Sequence, residues 1–227
     1  MKDIAFAQKG SQRWLQITVA HASALLEAAF QRAGVTAPGE TVAWGSPLAA
    51  DGFCEYRDEE ALRHLGIENL STRNLADFWP ARGPVWDALG VSSSGTRILL
   101  EAKAHIPEAA SPGSKAEGRS RELILQSLAE ARKYYAPRAR ADWFGPLYQY
   151  ANRLAFQYLL NRVNGISSRL VFLNFCHAAD VGGPQSEAEW EGATQLIHAL
   201  LGLPSDLRKF GVFHAYVDVR ELKSACS

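Results

Sequence analysis

Residues 96–108 read TRILLEAKAHIPE. The run from Arg97 to Ala104 is apolar enough to be a buried strand, yet a carboxylate, an ammonium and an imidazole follow one another at alternate positions. Side chains two apart on a strand point the same way, so Arg97, Leu99, Glu101, Lys103 and His105 share one face. Ile98, Leu100, Ala102 and Ala104 share the other. One face suits a core and the other suits chemistry. Burying a carboxylate or an ammonium without a partner is costly, so Glu101 and Lys103 must either pair as a salt bridge or share a ligand.

Working outward, PVWDALGV (residues 84–91) reads as a second strand joined to the first across SSSG, residues 92–95. The two form a candidate hairpin. Opposed residues of an antiparallel pair face the same side, which makes register decisive. A two-residue turn at Ser93-Ser94 would set Asp87 against Leu100; an odd-length loop or a bulge, for which Gly90 or Gly95 is suited, brings Asp87 and Glu101 to one face. Two neighbouring carboxylates repel unless a cation sits between them, and oxygen ligands of this kind suit Mg²⁺.

Asp87 followed by Glu101-Ala102-Lys103 resembles the PD-(D/E)XK nuclease superfamily, an Asp and then Glu-x-Lys on a β-hairpin. The resemblance spans about residues 84–175 in element order and three residues in chemistry. It implies a restriction endonuclease-like fold with Asp87, Glu101 and Lys103 catalytic. Asp87 and Glu101 would hold Mg²⁺, with Mn²⁺ as an alternative, and Lys103 would orient a water attacking a phosphodiester. Here the order is Pro84-Val85-Trp86-Asp87, without Pro directly before Asp. For the upstream carboxylate that many members add, Glu27, Glu59 and Glu60 are the candidates.

Composition bounds the alternatives. Lys plus Arg and Asp plus Glu are both 24, so no global charge draws the chain to a polyanion or an anionic membrane. Residues 111–140 are the local exception, with Lys115, Arg119, Arg121, Arg132, Lys133, Arg138 and Arg140 against Glu117, Glu122 and Glu130. A solvated helix face and a phosphate contact surface are both open for them. Cys54, Cys176 and Cys226 are widely spaced and lack a CxxC pair, which fits a reducing cytoplasm. The stretch MKDIAFAQKGSQRW lacks the apolar core of a signal peptide, and no run suits a membrane span. There is no GxSxG, GxxxxGKS, HExxH or GxGxxG motif.

The remaining pattern predicts a helix over residues 11–33 closed by Gly34, a long connection from Val35 to Asp58, and a short helix to Leu65 ending at Gly66. Helices over about 119–135 and 146–163 follow, with Pro146 at the first position of the latter. RLVFLNFC (169–176) is a buried strand, Ser186 caps a helix reaching Leu201, and VFHAYVDV (212–219) is a last strand. The expected architecture is an α/β single domain, 1–227, with a mixed central sheet flanked by helices. Within it lie an N-terminal helical region of about 1–77 and a nuclease-like core of about 78–227.

Candidate substrate or supporting groups are His105, Gln126 on the 119–135 helix, and Gln149, Asn152 and Arg153 on the next. Arg153 reads either as a phosphate clamp or as part of a buried hydrogen-bond network. The function expected is metal-dependent phosphodiester hydrolysis of nucleic acid, DNA ahead of RNA, by a cytoplasmic protein that admits assembly as a homodimer. The alternative is a non-catalytic binding domain that keeps the fold.

Overall fold

The computed structural model describes residues 6–225. Cys226 and the first five residues of the N-terminal stretch lie outside them. Five strands, β1 (Val42–Ser46), β2 (Ala88–Ser92), β3 (Arg97–Lys103), β4 (Ser168–Cys176) and β5 (Val212–Asp218), form one mixed sheet in chain order. β1, β2 and β3 pair antiparallel; β3, β4 and β5 run parallel. Parallel neighbours need crossovers. Helices α5 (Gly118–Tyr135) and α6 (Tyr148–Tyr158), the latter prolonged by a π turn over Leu159–Val163, connect β3 to β4; α7 (Glu187–Leu201) connects β4 to β5.

Both faces of the sheet are covered, which is why β3 and β4 carry apolar side chains on each side. One core joins Ile98, Leu100, Val171, Leu173 and Phe213 to α1 (Gly10–His21) and α2 (Ser23–Ala33). The other joins Leu89, Leu99, Leu170 and Phe172 to α5, α6, α7 and the short α3 (Asp58–His64) and α4 (Leu75–Phe78). β3 therefore presents Leu99 to the second core and, further along the same face, Glu101 and Lys103.

The single helix expected over 11–33 is two, broken at Ala22, whose backbone (φ −138°, ψ 40°) leaves the helical region. The break lets Trp14 and Leu15 in one helix, and Leu26 and Phe30 in the next, all reach the same core. The expected connection from Val35 to Asp58 contains β1, an edge strand paired to β2. Pro146 is not a helix start, because Leu147 takes a left-handed conformation (φ 68°) and α6 begins at Tyr148. Ser186 caps α7 as expected, its hydroxyl accepting from the Glu189 N–H at 3.3 Å. A final helix, α8 (Val219–Ala225), follows β5. Among the described residues no helix is long and apolar enough to cross a membrane, and Cys54 and Cys176 are free thiols.

Candidate functional site

The hairpin fixes the site. Ser93, Ser94 and Gly95 form a three-residue loop in which Gly95 adopts φ +83°, and its N–H donates to Ser92 O at 2.8 Å. A left-handed third residue is what such a loop demands, and Gly supplies it without a Cβ penalty. Ala88 then faces Leu100 and Leu89 faces Leu99. Carrying this register one step further sets Asp87 opposite Glu101, the odd-loop arrangement anticipated from the sequence.

Glu101 is buried, 1 % exposed. Burial alone would raise its pKa, but Arg153 first and Lys103 second outweigh it and hold the carboxyl below its ordinary range. Arg153 donates to Glu101 Oε2 through Nε at 2.7 Å and approaches the same oxygen through Nη2 at 2.6 Å. Nη2 also reaches Val85 O at 2.6 Å, and Nη1 reaches Asn152 Oδ1 at 2.9 Å. The guanidinium lies 4.8 Å from the Trp86 ring centroid. Lys103 Nζ pairs with Glu101 Oε1 and donates to Gln149 Oε1 at 3.1 Å. Arg153 and Gln149 stand on the α6 face that meets β3, because Ala151, Leu154 and Ala155 occupy the buried positions between the helix and the rest of the core.

Asp87 is partly exposed at the mouth of this cluster and accepts the Ala102 N–H through Oδ2 at 2.7 Å. Burial, and after it the nearby Glu101 charge, push its pKa up to about 8. The third carboxylate is Glu55, whose pKa burial raises, with Glu101 adding to the shift. A single bridge between Tyr56 and Trp86, with Trp86 N–H donating to Tyr56 O at 2.9 Å, lays residue 55 alongside the start of the hairpin. Glu55, Asp87, Gln149, Asn152 and Arg153 line one open cleft of about 510 Å³.

Asp87, Glu101, Lys103, Gln149, Asn152 and Arg153 are thus brought together. His105 is not: β3 has ended, and its Nδ1 lies 2.7 Å from Glu108 Oε1. Gln126 is on the solvent face of α5, bonded to Glu130 at 3.3 Å. Arg153 belongs to a buried network and not to a phosphate clamp, since Glu101, Val85 and Asn152 occupy its donors. Glu27, Glu59 and Glu60, the sequence candidates for an upstream carboxylate, do not line this cleft. Glu27 lies on α2, which packs against the opposite core; Glu59 and Glu60 are exposed, and Glu60 faces Arg63 at 3.7 Å. Glu55 carried no periodic signal; it lies in FCEYR, the short stretch between Gly52 and Asp58.

Among the described residues no three His, Cys, Asp or Glu side chains converge closely enough to form a metal cage by themselves. Two carboxylates with water and substrate oxygens completing the shell is the coordination Mg²⁺ ordinarily takes. Asp87 Oδ1 has no partner among the described residues, whereas both Glu101 oxygens are engaged, Oε2 by Arg153 and Oε1 by Lys103, so this donor set could take up an ion only if one of those cations yields its oxygen. Compared with protein-family models, curated proteins and solved structures, the chain matches none. The chain is an α/β protein with a five-stranded mixed sheet flanked by helices and an acidic cleft at one end of its hairpin.

Proposed function

We propose that this protein is a metal-dependent nuclease of the PD-(D/E)XK type, restriction endonuclease-like in fold, hydrolysing phosphodiesters in nucleic acid, DNA ahead of RNA. The observation that carries the reading is the hairpin register, which turns Asp87 and Glu101 to one face with Lys103 beside them. Asp87 and Glu101 would hold the ion, and Glu55 adds charge from across the cleft. The chemistry supplied by bound Mg²⁺, or Mn²⁺, is polarisation of a phosphate oxygen and acidification of a water.

The chain's own groups do the rest. Arg153 keeps Glu101 ionised and fixes Oε2, so Oε1, now paired with Lys103, is the oxygen that would turn to the ion. Lys103, tethered between Glu101 and Gln149, holds positive charge where negative charge develops on the phosphate.

A second reading, a binding domain without catalysis, is favoured by the pairing of both Glu101 oxygens to cations already present. The test is nicking of supercoiled plasmid in Mg²⁺ or Mn²⁺ by the wild type, Glu101→Ala and Lys103→Ala. Nicking by the wild type that chelator and either substitution abolish supports the nuclease; a wild type that leaves the plasmid intact, or variants that cut equally well, removes it.

A further inference from the structure

The acidic cleft is half of a longer groove. A second open hollow of about 520 Å³ shares Trp79, Arg82, Pro112 and Tyr148 with it. Tyr148 stands between the halves, its hydroxyl beside Ser114 on one side and Asn152 on the other. The near half carries Glu55 and Asp87 beside the already paired Arg153. Arg82 stands where the halves meet, and the far half adds Lys115 and the hydroxyl of Ser120 in the first turn of α5, against a single carboxylate, Glu117.

Arg82 and Lys115 differ from the arginine of the buried cluster. Both are exposed, and neither side chain has a hydrogen-bond or ion-pair partner among the described residues. Each is nevertheless mounted on a fixed turn. Arg82 is held at φ 66°, a conformation a non-glycine residue adopts at a cost. The Asp58 carboxylate locks it there, accepting the Arg82 N–H at 2.9 Å and the Gly83 N–H at 2.8 Å. A Cβ on Gly83 would come within 2.8 Å of Asp58 Oδ1, so the turn closes only with glycine. Next to Lys115, Ser114 N–H donates to Phe144 O at 3.1 Å, and a Cβ on Gly113 would meet that oxygen at 2.9 Å. Two unneutralised cations on pinned turns, continuous with the cleft that holds Glu55 and Asp87, match a ligand bearing anions at repeated spacing.

We propose that Arg82 and Lys115 bind a backbone phosphate flanking the one held at the carboxylates, so that a nucleic-acid strand runs along the groove past Tyr148. This subsite rests on the nuclease-type reading for the identity of its ligand. Its test uses the full chain and a fluorescein-labelled single-stranded DNA, with Ca²⁺ in place of Mg²⁺, and reads affinity by anisotropy over a range of salt.

Arg82→Ala with Lys115→Ala is expected to weaken binding about tenfold or more at low salt, and to flatten the slope of log K against log salt by about 0.7, the single-strand value for the one phosphate lost. Lys133→Ala with Arg138→Ala, exposed cations at the other end of α5, is expected to leave that slope within about 0.3 of the wild type. A double variant that keeps wild-type affinity and slope, or a wild type that does not bind the strand, overturns the subsite. A wild type that binds through these residues yet never cuts in Mg²⁺ leaves the subsite standing and removes catalysis.

Discussion

Replacing Arg153 by Met keeps the unbranched apolar stem and removes the guanidinium that joins α6 to β3. Three consequences follow from the geometry. Glu101, 1 % exposed, keeps only Lys103 as a counter-charge; Val85 O and Asn152 Oδ1 lose donors at 2.6 and 2.9 Å; and the Trp86 face loses its cation. Breaking one side of a buried ion pair costs about 3–5 kcal/mol, a large fraction of the roughly 5–15 kcal/mol that holds a domain folded. Glu101→Gln, which preserves shape, removes the charge that Arg153 otherwise serves. In the double variant no carboxylate is stranded, so the losses do not add, and a coupling of about 2 kcal/mol or more is expected from a thermodynamic cycle. Urea unfolding followed by circular dichroism, with slopes compared between variants, measures all four corners. The pH dependence gives a second reading. Glu101 is held below its ordinary range in the folded chain, so its stabilisation is present above that range and fades as pH falls through the lowered folded value. In Arg153→Met this acid-side loss should shrink. Additivity within about 0.5 kcal/mol, or a cost for Arg153→Met below about 1 kcal/mol, would refute the account of Glu101 as a charge sustained by α6.

Asp87, pushed up to about 8, keeps a proton that the unfolded chain sheds near the ordinary carboxylate range. Its contribution is therefore complete below that range and is lost as pH rises through about 8. Asp87→Asn should gain stability over the wild type as pH is raised towards about 8 in chelator, while wild type alone should be stabilised by added Mg²⁺; equal slopes for the two proteins contradict the first expectation and equal Mg²⁺ responses the second. Gly95→Ala places a side chain at φ +83° and should cost about 1 kcal/mol, read as a lowered unfolding midpoint, with no change there if the loop were not the turn that sets the register. Ser186→Ala removes the hydroxyl that accepts the Glu189 N–H and should cost about 1 kcal/mol without altering metal response; a shift in metal response would tie α7 to the site.

What could be read from the sequence was what is local. The alternation in TRILLEAKAH and the SSSG junction specify the hairpin, and with it the meeting of Asp87, Glu101 and Lys103, because period and turn chemistry act over a few residues. Ser186 and Glu189 mark their helix start in the same way. Contacts between distant segments left no such trace. Glu55 is positioned by one bridge from Tyr56 to Trp86, and a single pairing has no repeating pattern. Arg153 finds Glu101 across 52 residues, and sequence showed only that it had polar neighbours on its helix. Ala22 interrupts a helix whose apolar spacing continues unbroken on both sides, so the break is a demand of packing against the sheet. His105 kept the strand's alternation in sequence, but the strand ended two residues earlier.

The wide separation of the cleft's components along the chain also orders its assembly. The hairpin closes through three residues and can form early, whereas β3 meets β4 only after a crossover that joins positions 71 apart, such as Thr96 and Ser167. Contacts of such long range are slow to form, because the loop must close before they repay it. Until α6 docks, Glu101 stays hydrated on a bare hairpin, and its removal from water coincides with the arrival of Arg153. Burial of the Glu101 carboxylate is thereby tied to the docking of α6, and a chain that has closed only the hairpin still has that carboxylate in water.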